Sequence, residues 1–279
     1  MQKTAIIFVS NAAGGQVVGY SEKTLKPVAY LGGPISGPAG ISVDRAGNVY
    51  VANSGAADVL FYPASSSLPT RILNDSNWYP SDVCVSPTGE VAVTNDVGGV
   101  GADIAFYRKG EINSFKSISS SVFFRMFYCA YDAVGNTYVD GQDYYGGAHV
   151  GFIAGGGAGN SIADLNIDGI GLSAGLAVMR SGDILVEDES SSTIHEYQAD
   201  SNDQLRTIAL EAPSNYFIAT FALMKGEKLL WAAVSGPAGN GNDGFAQKDP
   251  FPNGIPPIQT ITGLATPLNG IAVTPADLP

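Results

Sequence analysis

Four copies of one sequence phrase dominate this chain. They are PAGISVDRAGNVYVAN ending at Asn53, YPSDVCVSPTGEVAVTN ending at Asn95, FYCAYDAVGNTYVDG ending at Gly141, and AGLAVMRSGDILVED ending at Asp188. Each copy reads as an alternating strand, a tight turn that closes on a glycine, and a second alternating strand. The turn glycines, Gly47, Gly89, Gly135 and Gly182, recur roughly every 45 residues, which is the period of four-stranded blades stacked around an axis.

Weaker copies complete the ring. A degenerate copy, IATFALMKGEKLLWAAV, has Glu227 at the turn-glycine position, and a half copy, PLNGIAVTP, lies close to the C-terminus. The strand missing from that half copy is TAIIFVSN at residues 4–11. We therefore predict an all-β, six-bladed β-propeller with four-stranded antiparallel blades, closed by one blade that both termini share. The chain is expected to be a single domain, 1–279, with blades at 4–31 plus 268–274, 38–73, 80–118, 127–165, 174–210 and 218–262.

Composition agrees with this architecture and excludes several functions. With 35 glycines, 16 prolines and only 14% charged residues, the chain suits short strands joined by turns, and we expect almost no helix. A net charge of −12 with 14 Lys and Arg argues against nucleic acid and against anionic membrane surfaces. No apolar run approaches the length of a membrane span. We expect a monomer.

The two cysteines, Cys84 and Cys129, fall on the innermost strands of consecutive blades, one residue out of phase. Opposite phase means opposite blade faces, and neighbouring blades present opposite faces to one another. Both sulfurs can therefore point into the same seam, where a disulfide is predicted; two buried free thiols are the alternative. A bridge favours an oxidising compartment. We expect a secreted or periplasmic protein whose signal peptide is absent from this chain.

The sequence offers few residues of the types that usually act in catalysis. The chain has two histidines, His149 and His195, and both align with third strands, away from the axis. A His-rich zinc site and a Ser-His-Asp relay are therefore not indicated, and no GxSxG elbow is present.

Polar residues at the ends of the second strands form the first candidate site. Asn53, Asn95, Asp96 and Asp188 fall where loops converge on one face of the ring, and these are predicted ligand-binding residues. The alternative is turn chemistry, because Asn and Asp side chains at strand ends bond their own backbone.

The phrase PAGISVDRAGNVYVAN is similar to the repeat of NHL-type six-bladed propellers, and the resemblance covers essentially the whole chain. That superfamily includes gluconolactonase-type metal hydrolases, lyases and many non-catalytic binding propellers. In the lactonase type, an axial divalent cation is held by a Glu, an Asn that precedes a Gly, and an Asp in a Pro-Asp-Gly segment. Asn269-Gly270 matches the second; Pro80-Ser81-Asp82 displaces the third by one residue, and the first has no counterpart in the N-terminal strand.

Two functional hypotheses follow. The first is a non-catalytic binding or scaffold propeller with no cofactor, whose loops contact a protein, peptide or glycan through the aromatic residues of its insertions, Tyr144, Tyr145, Phe245 and Phe251. The second is a metal-assisted hydrolase, lactonase-like, or lyase. Its metal ligands would be Asp82, Asn269, Asp188 and Asn95, whose oxygens suit Ca²⁺ or Mg²⁺. Whether the chain is an enzyme stays open at this point, and binding is favoured.

Overall fold

The computed structural model describes residues 4–75, 79–96, 101–199, 201–224, 226–236 and 243–274. The first half of the chain forms β1 (Ile6–Asn11), β2 (Gln16–Ser21), β3 (Pro27–Leu31), β4 (Pro38–Val43), β5 (Val49–Asn53), β6 (Asp58–Tyr62), β7 (Arg71–Asn74), β8 (Pro80–Val85), β9 (Val91–Asn95), β10 (Asp103–Tyr107), β11 (Lys116–Ser119), β12 (Arg125–Tyr131) and β13 (Thr137–Gln142). The second half forms β14 (Ala148–Ile153), β15 (Ala163–Asp164), β16 (Ser173–Val178), β17 (Ile184–Asp188), β18 (Thr193–Tyr197), β19 (Gln204–Ala209), β20 (Phe217–Leu223), β21 (Leu229–Ser235), β22 (Gly244–Pro250), β23 (Gln259–Leu264) and β24 (Leu268–Val273). Helical structure in these ranges is limited to two 3₁₀ turns, Ser54–Ala56 and Gly156–Ala158.

The strands form six four-stranded antiparallel sheets, which confirms the predicted propeller. Blade 1 is β24-β1-β2-β3 and blade 2 is β4-β5-β6-β7; blades 3 to 6 follow as β8–β11, β12–β15, β16–β19 and β20–β23. In every blade the strand named first lies innermost. We call the side of the ring where the innermost strands begin the entry face, and the side where they end the exit face.

The two ends of the chain close the ring together, as predicted. Strand β24 pairs antiparallel with β1, with Ile7 opposite Val273 and Val9 opposite Ile271. The Ile6 N–H also donates to the Thr274 hydroxyl at 2.9 Å. Blade 1 therefore has its innermost strand from the C-terminus and its outer three from the N-terminus, so that β1 is paired along both edges.

One turn geometry explains why the sequence phrase repeats. In blade 2, Asp44 Oδ1 accepts the N–H groups of Ala46 and Asn48, and Asn48 Oδ1 accepts the N–H of Ala64 on the next turn. Asp132 and Asn136 repeat this arrangement in blade 4. The turn places Gly47 at a φ of +83°, a conformation that glycine adopts without a Cβ penalty, which explains the recurrent glycine.

The hydrophobic core is divided among the seams. Six clusters of buried side chains occur, and each joins two adjacent blades; the cluster between blades 2 and 3, for example, packs Tyr50 and Leu73 against Val83 and Val93. Hydrogen bonds from buried tyrosines tie the blades further. The hydroxyls of Tyr62, Tyr107 and Tyr197 each donate to a backbone carbonyl of the preceding segment, Gly32, Asn74 and Asp168 respectively.

Cys84 and Cys129 form a disulfide between blades 3 and 4, as predicted from their opposite phase. Their Cα atoms are 5.8 Å apart, within the usual range for a bridge, and both residues are buried beside the axis. The bond therefore links two blades near the point where all six converge.

Candidate functional site

Every innermost strand carries a β-bulge at its entry. In blades 2 to 6 the pairing with the second strand shifts register within the innermost strand, in order at Pro38/Ile41, Pro80/Asp82, Met126/Cys129, Ser173/Gly175 and Ile218/Thr220. In blade 1 the shift lies in β24, opposite Ser10 and Asn11 of β1. A bulge bends its strand and redirects the next side chain. The residues at the equivalent positions next to these bulges, which we call the axial layer, are Gly40, Asp82, Tyr128, Gly175, Thr220 and Gly270.

Asp82 joins three blades within this layer. Its Oδ2 accepts the N–H of Cys129 at 3.1 Å, and its carboxyl group packs against Gly40 of blade 2. A Cβ at Gly40 would stand 2.7 Å from the Asp82 Cα, so any larger residue at position 40 would collide with backbone that cannot move easily. Asp82 is 7% exposed. Its observed contacts are therefore those of a carboxyl group that holds blades 2, 3 and 4 together.

Tyr128 crosses the axis. From blade 4, its hydroxyl donates to the Ala219 carbonyl of blade 6 at 2.8 Å and lies 3.4 Å from the Asn269 carbonyl of blade 1. Its backbone N–H donates to Asp140 Oδ1 at 2.6 Å. The Tyr128 side chain therefore links blades 4, 6 and 1 across the axis. It narrows the axial channel near the loops of the entry face.

Two cavities follow the axis. The smaller, of about 90 Å³, is lined by Asp82, Tyr128, Thr220 and the glycines Gly40 and Gly270. The larger, of about 160 Å³, continues toward the exit face between apolar side chains such as Val43, Val178 and Val273. Cys84 and Cys129 contribute to both. The channel is therefore narrower near the entry face and wider farther on, where most of its lining side chains are apolar.

Carboxyl groups are buried around Tyr128. Burial raises the pKa of Asp82 well above its ordinary value, although the N–H groups of Cys129 and Val83 oppose the shift. Burial likewise raises the pKa of Asp140 to about 7 and that of Glu187 well above its ordinary value. Among the described atoms, both Glu187 oxygens and Asp140 Oδ2 have no hydrogen-bond partner. These groups favour the neutral, protonated form.

The pKa of Asp140 predicts an unusual dependence of stability on pH. A carboxyl group whose pKa is raised by folding stabilises the folded chain at low pH, and this contribution is lost as pH rises through the folded pKa of about 7. Between about pH 5 and about pH 8 the loss from Asp140 should be roughly 3 kcal/mol. Asp140→Asn, which keeps the acceptor for the Tyr128 N–H, should flatten the profile by that amount in urea titrations at a series of pH values.

The matched control for this experiment is Asp203→Asn on an exposed turn, which should follow the wild-type profile. Parallel profiles for Asp140→Asn and the wild type would show that Asp140 is charged in the folded chain, contrary to the prediction.

Asn53 and Asn95, predicted at the second-strand ends, bond neighbouring segments of the entry face. Asn53 accepts the N–H of Ser36 at 2.6 Å and donates to Asp58 at 2.7 Å. Asn95 donates to Asp103 at 2.8 Å and, at 3.5 Å, to Asp75. These contacts differ from those of the alternative interpretation, in which such side chains bond the backbone of their own turn.

Asp188 follows the same pattern with more partners. Its Oδ1 accepts the N–H of Leu172 at 3.0 Å and the hydroxyl of Ser190 at 2.6 Å, and its Oδ2 accepts the hydroxyl of Ser191. Partial burial raises the pKa of Asp188, but these hydrogen bonds outweigh it and leave the pKa below its ordinary value. Asp188 therefore pins the loop between β17 and β18.

The four candidate metal ligands have separate hydrogen-bond partners. Asp188 and Asn95 share no partner with each other or with Asp82, and the Asn269 carbonyl lies 3.4 Å from the Tyr128 hydroxyl. Within the ranges that the structure describes, no three His, Cys, Asp or Glu side chains are grouped so that they hold a metal ion.

Tyr144 and Tyr145 lie on the entry face, at the tip of the turn between β13 and β14. They are 74% and 92% exposed. Asp143 Oδ1 accepts the N–H groups of Tyr145 and Gly147, both at 2.8 Å, and the Gly147 contact is the main reason that the pKa of Asp143 is lowered. We call residues 143–147 the tyrosine turn. Its backbone repeats the geometry of the Asp44 and Asp132 turns, with tyrosines in the two exposed positions.

Further side chains extend this surface across blades 3 and 4. The Tyr144 ring meets the Phe124 ring edge to face at 5.3 Å. Arg125 binds Asp96 with both ends of its guanidinium group, with Nε 2.8 Å from Oδ1, and the Asp96 N–H donates to the carbonyl of Tyr79, which is 65% exposed. We call Tyr79, Phe124, Arg125, Tyr144 and Tyr145 the aromatic patch. Of the predicted ligand-binding residues, the structure thus brings together Asp96, Tyr144 and Tyr145.

One part of the aromatic prediction is wrong. Phe251 is 7% exposed and packs among Ile208 and Leu210 of the neighbouring blade, and Phe245 packs partly buried against the same cluster. Phe251 belongs to the core because the connection from β22 to β23 folds onto blade 5, and Phe245 lies within β22 itself. Residues 97–100 and 237–242 of the predicted insertions lie outside the described residues.

Sequence reasoning missed the role of His149. Its Nδ1 lies 2.9 Å from Asp164 Oδ2 and its Nε2 lies 3.5 Å from Asp143 Oδ2, so the ring braces the tyrosine turn against the outer strand of blade 4. The signal available in the sequence was the placement of His149 at the start of a third strand, two residues after the turn.

Comparisons with known proteins support the fold. No protein-family model matches the chain, and no curated protein matches it. Among solved structures, a chain from a nidogen/laminin complex is similar, with a TM-score of 0.73, 14% identity, and coverage of 96% of this chain and 98% of that one. A protein of unknown function from Bacteroides caccae has a TM-score of 0.72 at 13% identity, covering 97% and 99%. At such identities the likeness establishes the β-propeller fold alone.

The described part of the chain contains no helix long and apolar enough to cross a membrane.

Proposed function

We propose that this chain is a non-catalytic binding propeller that contacts a protein partner through the aromatic patch on its entry face. The observation that carries the proposal is the tyrosine turn, which holds Tyr144 and Tyr145 74% and 92% exposed. Large aromatic side chains in water lose the benefit of burial unless a partner covers them, and tyrosine is enriched at the centres of protein interfaces.

The geometry of the turn supports the same proposal. Asp143 and His149 fix the backbone of the tyrosine turn, and the Phe124 and Tyr145 rings each meet the edge of Tyr144, at 5.3 and 5.5 Å. A side chain that is already ordered loses little conformational entropy when a partner binds. The exposed rings are therefore arranged in advance for contact.

The hydrolase alternative has less support. A metal-dependent reaction at the axis needs ligand oxygens that are free to bind an ion, and the oxygens of Asp188 are taken up by its own loop. Tyr128 also occupies the axis at that level. Binding of one divalent ion per chain, lost in Asp82→Ala, would favour the hydrolase.

We also propose that the repeats are of the NHL type, on the phrase PAGISVDRAGNVYVAN, and that the protein is a monomer in an oxidising, extracellular or periplasmic compartment. The disulfide between Cys84 and Cys129 supports the compartment. Among similar structures, one comes from a complex of two proteins, nidogen and laminin, which is compatible with protein binding by this fold.

The test compares a variant of the tyrosine turn with a variant of the equivalent Asp132 turn. Tyr144→Ala/Tyr145→Ala should remove binding of the natural partner or weaken it at least about tenfold, because central interface tyrosines often contribute about 2 kcal/mol. The measurement is cross-linking in an extract of the source cells, identification of the captured proteins by mass spectrometry, and titration of the leading candidate.

Val134→Ala is the control, since Val134 is 84% exposed at the corresponding position of the Asp132 turn on the exit face. It should bind like the wild type. Equal capture by the tyrosine variant and the control would exclude the aromatic patch as the binding surface.

A further inference from the structure

Charge is distributed unequally between the two faces of the ring. The loops that join second to third strands, with the residues that flank them, lie on the entry face and carry carboxylates in every blade but the first. In these loops and their flanks, the described acidic residues that stay at least partly exposed are Asp58, Asp96, Asp103, Asp143, Glu189 and Asp243. No described Lys or Arg lies in these loops; the nearest is Arg125, at the start of an innermost strand.

The exit face is different. Its turns join first to second and third to fourth strands, and they carry both signs of charge. The described basic residues of these turns are Lys23, Lys26, Arg45, Arg108, Lys109, Arg180 and Lys228, and the acidic ones are Glu22, Asp44, Glu90, Glu111, Asp132, Asp183, Asp203 and Glu227. The net charge of −12 is thus carried disproportionately by the entry face.

The cation within the aromatic patch, Arg125, is neutralised. Arg125 binds Asp96 through two nitrogens and lies over the Phe127 ring, with the guanidinium carbon 4.8 Å from the ring centre. Asp143 beside it has a lowered pKa and stays ionised, mainly through the Gly147 N–H. The exposed tyrosine rings therefore lie beside the Asp143 carboxylate and a neutralised Arg125–Asp96 pair, on a face whose other described loop charges are negative.

We infer that the partner presents a basic segment, rich in arginine or lysine, to the aromatic patch. The inference rests on the proposed function and adds the chemistry of the partner. A negative surface attracts cations over a Debye length of about 10 Å, and the faces of Tyr144 and Tyr145 accept a guanidinium group by cation–π contact. The chain already uses this contact, with Arg71 3.8 Å from the centre of the Phe61 ring and Arg108 4.2 Å from that of Phe115.

The same charges disfavour other occupants. An acidic peptide or a nucleic acid would be repelled by the entry-face carboxylates. A neutral glycan would stack on the tyrosines without any benefit from those carboxylates, so its binding would not respond to their removal. The response of binding to charge therefore separates a basic protein segment from a glycan.

The experiment uses the full chain and two synthetic peptides of equal length, one with regularly spaced arginines and one with serine in their place. Fluorescence anisotropy at low salt should show binding of the arginine peptide only. Tyr144→Ala/Tyr145→Ala should weaken it about tenfold, and Glu189→Gln/Asp243→Asn about threefold, by reducing the field. The control Glu111→Gln/Asp203→Asn, which removes the same charge from the exit face, should leave the affinity within about a factor of 1.5 of wild type.

The remaining outcomes overturn the inference. Equal losses in the entry-face and exit-face charge variants would mean that the arginine peptide responds only to net charge. Binding of the serine peptide, or of a neutral glycan, with the same dependence on the tyrosines would replace the basic segment by another ligand. The serine-peptide result would leave the proposed function standing, whereas the glycan result would also replace its protein partner. If neither peptide binds while the natural partner still depends on Tyr144 and Tyr145, the basic segment alone is wrong.

Discussion

Removal of residues 268–279 should leave a chain without a cooperative unfolding transition. The deletion takes away β24, whose Leu268, Ile271 and Val273 are buried between blades 6 and 1. Three such side chains contribute about 2 kcal/mol each, roughly 6 in all, which matches much of the stability of an ordinary domain. It also exposes the backbone edge of β1, from Ile7 to Asn11, toward the axis. Calorimetry and near-ultraviolet circular dichroism would measure the effect.

The matched control ends at Thr274 and so retains the whole of β24 and the hydroxyl that accepts the Ile6 N–H. It should unfold cooperatively, close to the full-length chain. Equal melting of both truncated chains would contradict the closure of the ring by the two termini, because only one of them retains the pairing of β1 with β24.

The repeats allow the blades to be predicted because the same physical constraint recurs in each. An Asp or Ser that ends the first strand bonds the turn, and a glycine such as Gly47 or Gly89 takes a positive φ. Both features are local in sequence, so they are visible without coordinates. The pairing of Cys84 with Cys129 was predictable for the same reason, since the phase along two aligned strands determines which faces the sulfurs occupy.

The axial layer was not predictable in this way. Its positions hold Gly40, Tyr128 and Thr220 in different blades, so no repeat marks them, and the bulges that redirect these side chains leave no sequence signature. Tyr128 reaches carbonyls in blades 6 and 1, contacts that depend on the closure of the whole ring. Burial of Phe251 was missed for a similar reason, because a long connection packs on a blade that its own sequence does not identify.

The aromatic patch was predictable from the sequence in part. The register places Tyr144 and Tyr145 in a loop on the entry face, and the same register assigns each charged residue to a face. The unequal distribution of charge was therefore available from the sequence. What coordinates add is the pairing of Arg125 with Asp96, which neutralises the positive charge within the patch.

Loss of the disulfide should be the largest effect that leaves the fold intact. The bridge joins residues 45 apart, and closing a loop of that length in the unfolded chain stabilises the folded state by about 4 kcal/mol in the chain-entropy model. Cys84→Ala/Cys129→Ala should lower the urea midpoint accordingly while the circular dichroism spectrum stays that of the propeller. The N–H of Cys129 keeps its bond to Asp82 in the variant, since backbone donates it.

A reducing agent provides the control, because the two chains must respond differently to it. Dithiothreitol should lower the midpoint of the wild type toward that of the double variant and leave the variant unchanged. An unchanged wild type, or a variant as stable as the wild type, would mean that blades 3 and 4 gain nothing from the bridge. Since the aromatic patch is built on the same two blades, the variant also tests function: its affinity for the arginine peptide should be retained at temperatures where it is folded, because Arg125, Asp96 and Asp143 hold the patch without the sulfurs.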